Sequence, residues 1–257
     1  MHLFRHSTFA AAIVAVMFAS QAWAGPLVWD FEQSDPVSLQ DLNDEYDGTL
    51  IVGDKKFDNF FISVAATTSN TVLPPDADSI NIFGTQSGPD YGVSFNASWQ
   101  VQPGELLDTL LQFKVTVLDP DLLVHDNSLG IDGFVNTTNY GSLSVSETVY
   151  REKRLGAGGQ LDQDPIAIKQ VFYVSPTNFD VFDHKLFTDP ITGAEIALKE
   201  VWVVKDILLT GGAFIQGEND FGVVGLSSVS QTFSQIPEPA SIALLGLGSL
   251  LIVRRRR

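Results

Sequence analysis

A chain of 257 residues with 44% hydrophobic and 18% charged residues has a globular composition and is large enough for one well-cored domain. Its 31 acidic and 15 basic residues give a formal net charge of −16, which repels phosphate backbones and argues against nucleic-acid binding. It has no cysteine, so disulfides, thiol catalysis and cysteine-ligated zinc or iron–sulfur centres are excluded, and core packing or bound ions must hold the fold.

Residues 1–24 begin with His2, Arg5 and His6, continue through the apolar run Phe9 to Ala19, and end on Ala22-Trp23-Ala24. A basic start, an apolar stretch and a small-x-small site predict a secretory signal peptide. Signal peptidase is expected to cut after Ala24, leaving Gly25 as the mature N-terminus.

From Gly25 to about Gln235 the pattern is that of strands. Val93, Phe95, Ala97, Trp99 and Val101 occupy alternate positions, with polar residues between them. This period of two means one buried and one wet face. Leu111, Phe113, Val115 and Val117 repeat it, as do Leu143, Val145 and Val149. Ile168–Val174 and Val201–Leu209 are nearly continuous in apolar residues and read as central strands covered on both sides. Asp47-Gly48 and Asp132-Gly133 are candidate hairpin tips, Gly104 to Leu110 has room for a turn or two of helix, and Arg151 to Gln163 is the expected long loop. Turn residues divide the chain into about ten or eleven short strands. The predicted fold is all-β, a β-sandwich with jelly-roll-like connectivity, because two half-polar sheets must bury their apolar faces on each other.

Chemistry-bearing residues are scattered. His125 and His184 remain once the signal peptide is removed, without a Gly-x-Ser-x-Gly elbow or a His-Glu-x-x-His motif, and a loop or surface role is expected for each. Asp41, Asn43, Glu45 and Asp47 resemble a calcium loop, but an EF-hand would need glycine and glutamate where Tyr46 and Val52 stand. They are retained as calcium candidates outside that motif; no other cofactor is expected. Further carboxylates fall at Asp54 and Asp58, at Asp119, Asp121 and Asp126, at Asp162 and Asp164, and at Glu218 and Asp220. Trp99 and Trp202 lie in apolar strand positions and are expected in the core.

The C-terminal stretch reads Pro237-Glu238-Pro239-Ala240-Ser241, then an apolar run from Ile242 to Val253, then Arg254, Arg255, Arg256 and Arg257. At ~1.5 Å per residue, Ala240 to Val253 spans about 21 Å, short of the ~30 Å hydrocarbon core, so it suits transient retention better than permanent anchoring. The prolines break the chain ahead of it, and the arginines are expected to stay cytoplasmic. Together these parts resemble the PEP-CTERM sorting signal of Gram-negative bacteria. The resemblance implies recognition by an integral-membrane exosortase, cleavage near Pro-Glu-Pro, and an association with extracellular polysaccharide. A softer likeness to the β-rich passengers of such proteins covers Gly53 to Phe60, Lys205-Asp206-Ile207 and Ser230 to Gln235.

The expected organisation is therefore a signal peptide at 1–24, a β-sandwich at 25–235 and a sorting signal at 236–257. Without Arg5, Glu238 and the four terminal arginines, the passenger keeps 10 basic and 30 acidic residues, a net charge near −20. The expected role is non-enzymatic, at the cell surface or in the extracellular matrix. Two other classes fit the residues: a carbohydrate- or calcium-binding module, and a secreted glycoside hydrolase with a carboxylate pair.

Overall fold

The computed structural model describes residues 25–32, 34–68, 73–136, 141–152, 164–175, 178–212 and 222–238. The signal-peptide residues, including Ala22 and Ala24, lie outside the described residues, as do most of the expected loop and the tail from Pro239 through the arginines.

Among the described residues fourteen strands and one helix follow in order: β1 (Leu27–Val28), β2 (Val37–Ser38), α1 (Leu39–Glu45), β3 (Leu50–Val52), β4 (Lys55–Thr67), β5 (Asn81–Ser87), β6 (Asp90–Val101), β7 (Leu106–Val117), β8 (Leu122–Asn136), β9 (Ser142–Tyr150), β10 (Ala167–Ser175), β11 (Asn178–Asp180), β12 (Phe182–Leu186), β13 (Glu200–Thr210) and β14 (Val223–Pro237). They form an all-β sandwich. The larger sheet has the order β1-β3-β4-β7-β13-β9-β10-β11, and the smaller the order β12-β8-β14-β6-β5-β2. The chain crosses between layers repeatedly, from β4 to β5, from β6 through β7 and β8 to β9, and from β13 to β14. All four sheet edges are strands of two to five residues, which leaves little unpaired backbone for another chain to extend.

Several local expectations are corrected. Fourteen strands stand where about ten or eleven short ones were expected, and the longest, β8 and β14, run to 15 residues. Asp132-Gly133 is no hairpin tip but lies inside β8, where a Cβ on Gly133 would come within 2.7 Å of the Gly225 carbonyl oxygen and of Leu143. Asp47 and Gly48, both at positive φ (53° and 59°), turn the chain from α1 into β3. The helix falls at 39–45 and not at 104–110, where a turn at Gly104 gives way to the first residues of β7. Ser38 caps it by accepting the Asp41 N–H at 2.9 Å, and Leu39 and Leu42 bury its one apolar stripe. Strand β10 is not covered on both sides: it is second from the edge, and Ile168 and Val174 are exposed.

The core sits between the sheets. Phe57 and Phe113 of the larger sheet meet Phe233 and Phe95 of the smaller, with ring centres 6.0 and 5.5 Å apart. Trp99 and Trp202 are both buried. Farther along the larger sheet, three charges replace apolar residues on the inner face. Lys205 of β13 and Lys169 of β10 both lie directly across from Glu147 of β9. Their side chains are fully buried: Lys169 lies 2.8 Å from Glu147 Oε1, and Lys205 donates to Glu147 Oε2. From the opposite sheet Asn127 donates to Glu147 Oε1 at 2.6 Å and accepts from Lys169. Burial alone would raise the Glu147 carboxyl, but the two lysines outweigh it and hold it below its ordinary range. Replacing Glu147 by glutamine leaves two buried ammonium groups without a counter-charge. This substitution should cost about 3–5 kcal/mol, seen as a lowered urea midpoint.

Candidate functional site

Strand β14 lies inside the smaller sheet, between β8 and β6, and delivers the chain directly to the C-terminal stretch. Pro237 is its last residue, paired with Leu122, and the Glu238 N–H donates to the Asp121 carbonyl at 2.7 Å. Proline, lacking an N–H, is tolerated where a ladder ends. The Pro-Glu-Pro element thus begins on the sandwich itself, with no spacer, and Pro237 is exposed.

Polar side chains grip the root of this exit. The Ser234 hydroxyl donates to Asp126 Oδ1, and the Gln235 amide donates to Asp54 Oδ2. Asp54 stands in the two-residue turn between β3 and β4, where Gly53 takes φ 58° with its Cα against the Tyr91 ring. The other Asp54 oxygen holds the buried Lys55 ammonium at 3.1 Å, which also lies 5.4 Å from the centre of the Tyr91 ring. Burial lowers Lys55 below its ordinary value, against the pull of Asp54. Burial, then Asp126, raises the Asp90 carboxyl.

Asp126 is the hub. Besides Ser234 it meets His125 Nε2 at 3.1 Å and His184 Nε2 at 3.2 Å, one on each oxygen. Pairing of β8 with β12 sets His184 opposite Ser128, two residues from Asp126, so that its imidazole reaches the carboxylate that His125 also meets. A serine–histidine–aspartate relay requires the imidazole to stand between hydroxyl and carboxylate. Here all three groups converge on one carboxylate, which is an arrangement for holding the strands β8, β12 and β14 together. His125 and His184, expected in a loop or surface role, sit in strands β8 and β12, with side chains 24% and 48% exposed.

The calcium candidates are divided by the helix. Asp41, Asn43 and Glu45 lie on α1, where residues two apart point away from each other, and Asp47 follows in the turn. Asn43 and Asp47 line a polar hollow of about 480 Å³ with Asp58 and Asn59. Asp58 is already matched by Lys56 at 2.7 Å and Lys114 at 3.7 Å. Among the described residues no group of three or more histidine, cysteine or acidic side chains is placed to hold a metal ion.

Two carboxylates do meet elsewhere. Asp206 of β13 hydrogen-bonds Asp108 of β7; burial first, then Asp108, pushes Asp206 up to about 6. Asp162, Glu218 and Asp220 lie outside the described residues. A separate shallow groove of about 420 Å³ is lined by Asn81, Asn96, Ser98, Gln100 and Ser227, with the half-exposed Phe134 ring at its side.

Sequence reading missed the hub at Asp126 and the buried set of Asn127, Glu147, Lys169 and Lys205. A signal for the latter was present: Glu147 falls in phase with Leu143, Val145 and Val149, Lys205 with Val203 and Ile207, and Lys169 with Ala167 and Val171, all of them buried.

A family model described as the PEP-CTERM protein-sorting motif matches residues 235–257. A search for similar curated proteins gave no match. The chain therefore carries a PEP-CTERM sorting motif whose first residues are the end of β14.

The Asp108–Asp206 pair gives a pH test. A carboxyl raised to about 6 in the folded state favours folding below its unfolded value, ~4, and loses that contribution as pH rises through 6. Asp206→Asn should raise the melting temperature at pH 7 by roughly 2 °C, with the gain vanishing near pH 4 in thermal scans.

Proposed function

We propose that this protein is a non-enzymatic passenger, exported through the inner membrane, sorted by an exosortase-type system and displayed at the cell surface. The observation that carries the reading is the sorting motif at 235–257 emerging directly from a central strand. Signal peptidase removes residues 1–24; the apolar run then holds the chain in the membrane with Arg254 to Arg257 on the cytoplasmic side, until cleavage near Pro237-Glu238-Pro239 frees the acidic sandwich. The convergence of both described histidines on Asp126, and the contact between Asp108 and Asp206, support a structural reading of the titratable groups.

Mass spectrometry of the mature protein from its native host should find a chain beginning at Gly25 and ending near Pro239. Replacing Pro237 and Glu238 by alanine should retain most of the protein, tail included, in the inner-membrane fraction. An intact arginine terminus on the surface form of the unaltered protein would overturn the sorting reading.

A second reading concerns what the displayed domain touches. The groove beside Phe134 offers amides and hydroxyls for sugar hydroxyl groups and an exposed ring face for a sugar's apolar face, so the domain binds extracellular polysaccharide there. Phe134→Ala should weaken binding to a neutral polysaccharide about tenfold in calorimetry, a loss of ~1.4 kcal/mol. Equal affinity of the two proteins sinks this assignment.

A further inference from the structure

Asn127, Glu147, Lys169 and Lys205 meet between the sheets, buried from solvent. All four are at most 1% exposed, and their inner-face neighbours along the strands are Val145, Val149, Val171, Val203 and Ile207. An ion pair needs one lysine, one carboxylate and no asparagine amide. This site has an excess lysine, and an amide bonded to both that lysine and the carboxylate.

The geometry points to a self-catalysed cross-link: we propose that Lys169 Nζ forms an amide bond with Asn127 Cγ, with Glu147 as the catalytic residue that carries the proton. Glu147 Oε1 is 2.8 Å from Lys169 Nζ and 2.6 Å from Asn127 Nδ2, so one oxygen touches both the nitrogen that attacks and the nitrogen that leaves. Two lysines face one carboxylate, and loss of a single proton makes the set neutral, with one amine uncharged. Burial, against the pull of Glu147, pushes Lys205 down to about 8, and the neighbouring Lys169 adds to this. Each Glu147 oxygen touches one lysine, so the carboxylate can pass a proton between them and leave Lys169 as the free amine.

The step balances without oxidant or reductant. The Lys169 Nζ lone pair attacks Asn127 Cγ, and the carbonyl electron pair moves to Oδ1. Glu147 takes one proton from Nζ and gives it to Nδ2. The tetrahedral centre collapses, the Cγ–Nδ2 bond breaks, and Nδ2 leaves as ammonia. The product is a secondary amide joining β10 of the larger sheet to β8 of the smaller, across 42 residues of chain. Exclusion of water removes the competing hydrolysis of the Asn127 amide.

Mass spectrometry of the purified, denatured full-length protein tests this. The chain should be lighter than its sequence by one ammonia, and proteolysis should yield a branched peptide joining residues 127 and 169. On a denaturing gel the linked chain should run faster than Glu147→Gln, in which no proton carrier remains. Lys169→Met leaves a neutral Lys205–Glu147 pair, is expected to fold, and should show no loss of ammonia. A cyclic imide at Asn127 also loses ammonia but yields no branched peptide and persists in Lys169→Met; that result overturns the proposal. So does folded unaltered protein, verified by circular dichroism, at its full calculated mass.

Discussion

Each sheet of this sandwich has an inner face that is tolerable only when covered by the other, and that mutual covering is the constraint on which the structure depends. Phe57, Phe113, Phe95 and Phe233 meet it with ring against ring. At Lys169, Glu147 and Lys205 it is met by charge against charge, with Asn127 reaching over from the opposite layer. Apolar contacts tolerate some sliding between layers, whereas a hydrogen-bonded charge set has one arrangement that satisfies it. The buried charges thus set the relative position of the two sheets, while the aromatic cluster and the Val, Leu and Ile side chains around it supply the apolar burial.

Much of the fold was legible in the sequence wherever one physical rule acted alone. The alternation of Val93, Phe95, Trp99 and Val101 reports one wet and one dry face, and those four residues are buried. Reading failed where two rules competed. The seven-residue helix is too short for its period to emerge, and its signal was the cap, Ser38 three residues before Asp41. The apolar run in β10 suggested two covered faces, yet near a sheet edge Ile168 reaches solvent. Glu147 interrupts an apolar stripe and went unremarked, because its partners Lys169 and Lys205 are distant in sequence and adjacent only through strand pairing.

The candidate site was legible in a different proportion. Its address, Pro237 to Arg257, is a linear signal written in composition and spacing, and the family model matches it. Its foundation is not linear. Asp54, Asp126, His125 and His184 come to the root of β14 from three other strands or turns, and no spacing among them marks the convergence. Acidic residues are so common in this chain that a single buried aspartate at a hub has no compositional mark.

The placement of β14 has a mechanical consequence. A tail leaving from an edge strand would let a pull at the membrane peel the sheet open one hydrogen bond at a time. β14 instead has a ladder on each side, from Val223 to Pro237 against β8 and from Val224 to Phe233 against β6. Tension along the tail is shared by both ladders in shear, and the side chains of Ser234 and Gln235 add anchorage at the point where the force enters. The domain is therefore built to be held by its C-terminus, and a drag on the displayed protein is borne by the middle of the smaller sheet before any edge of it.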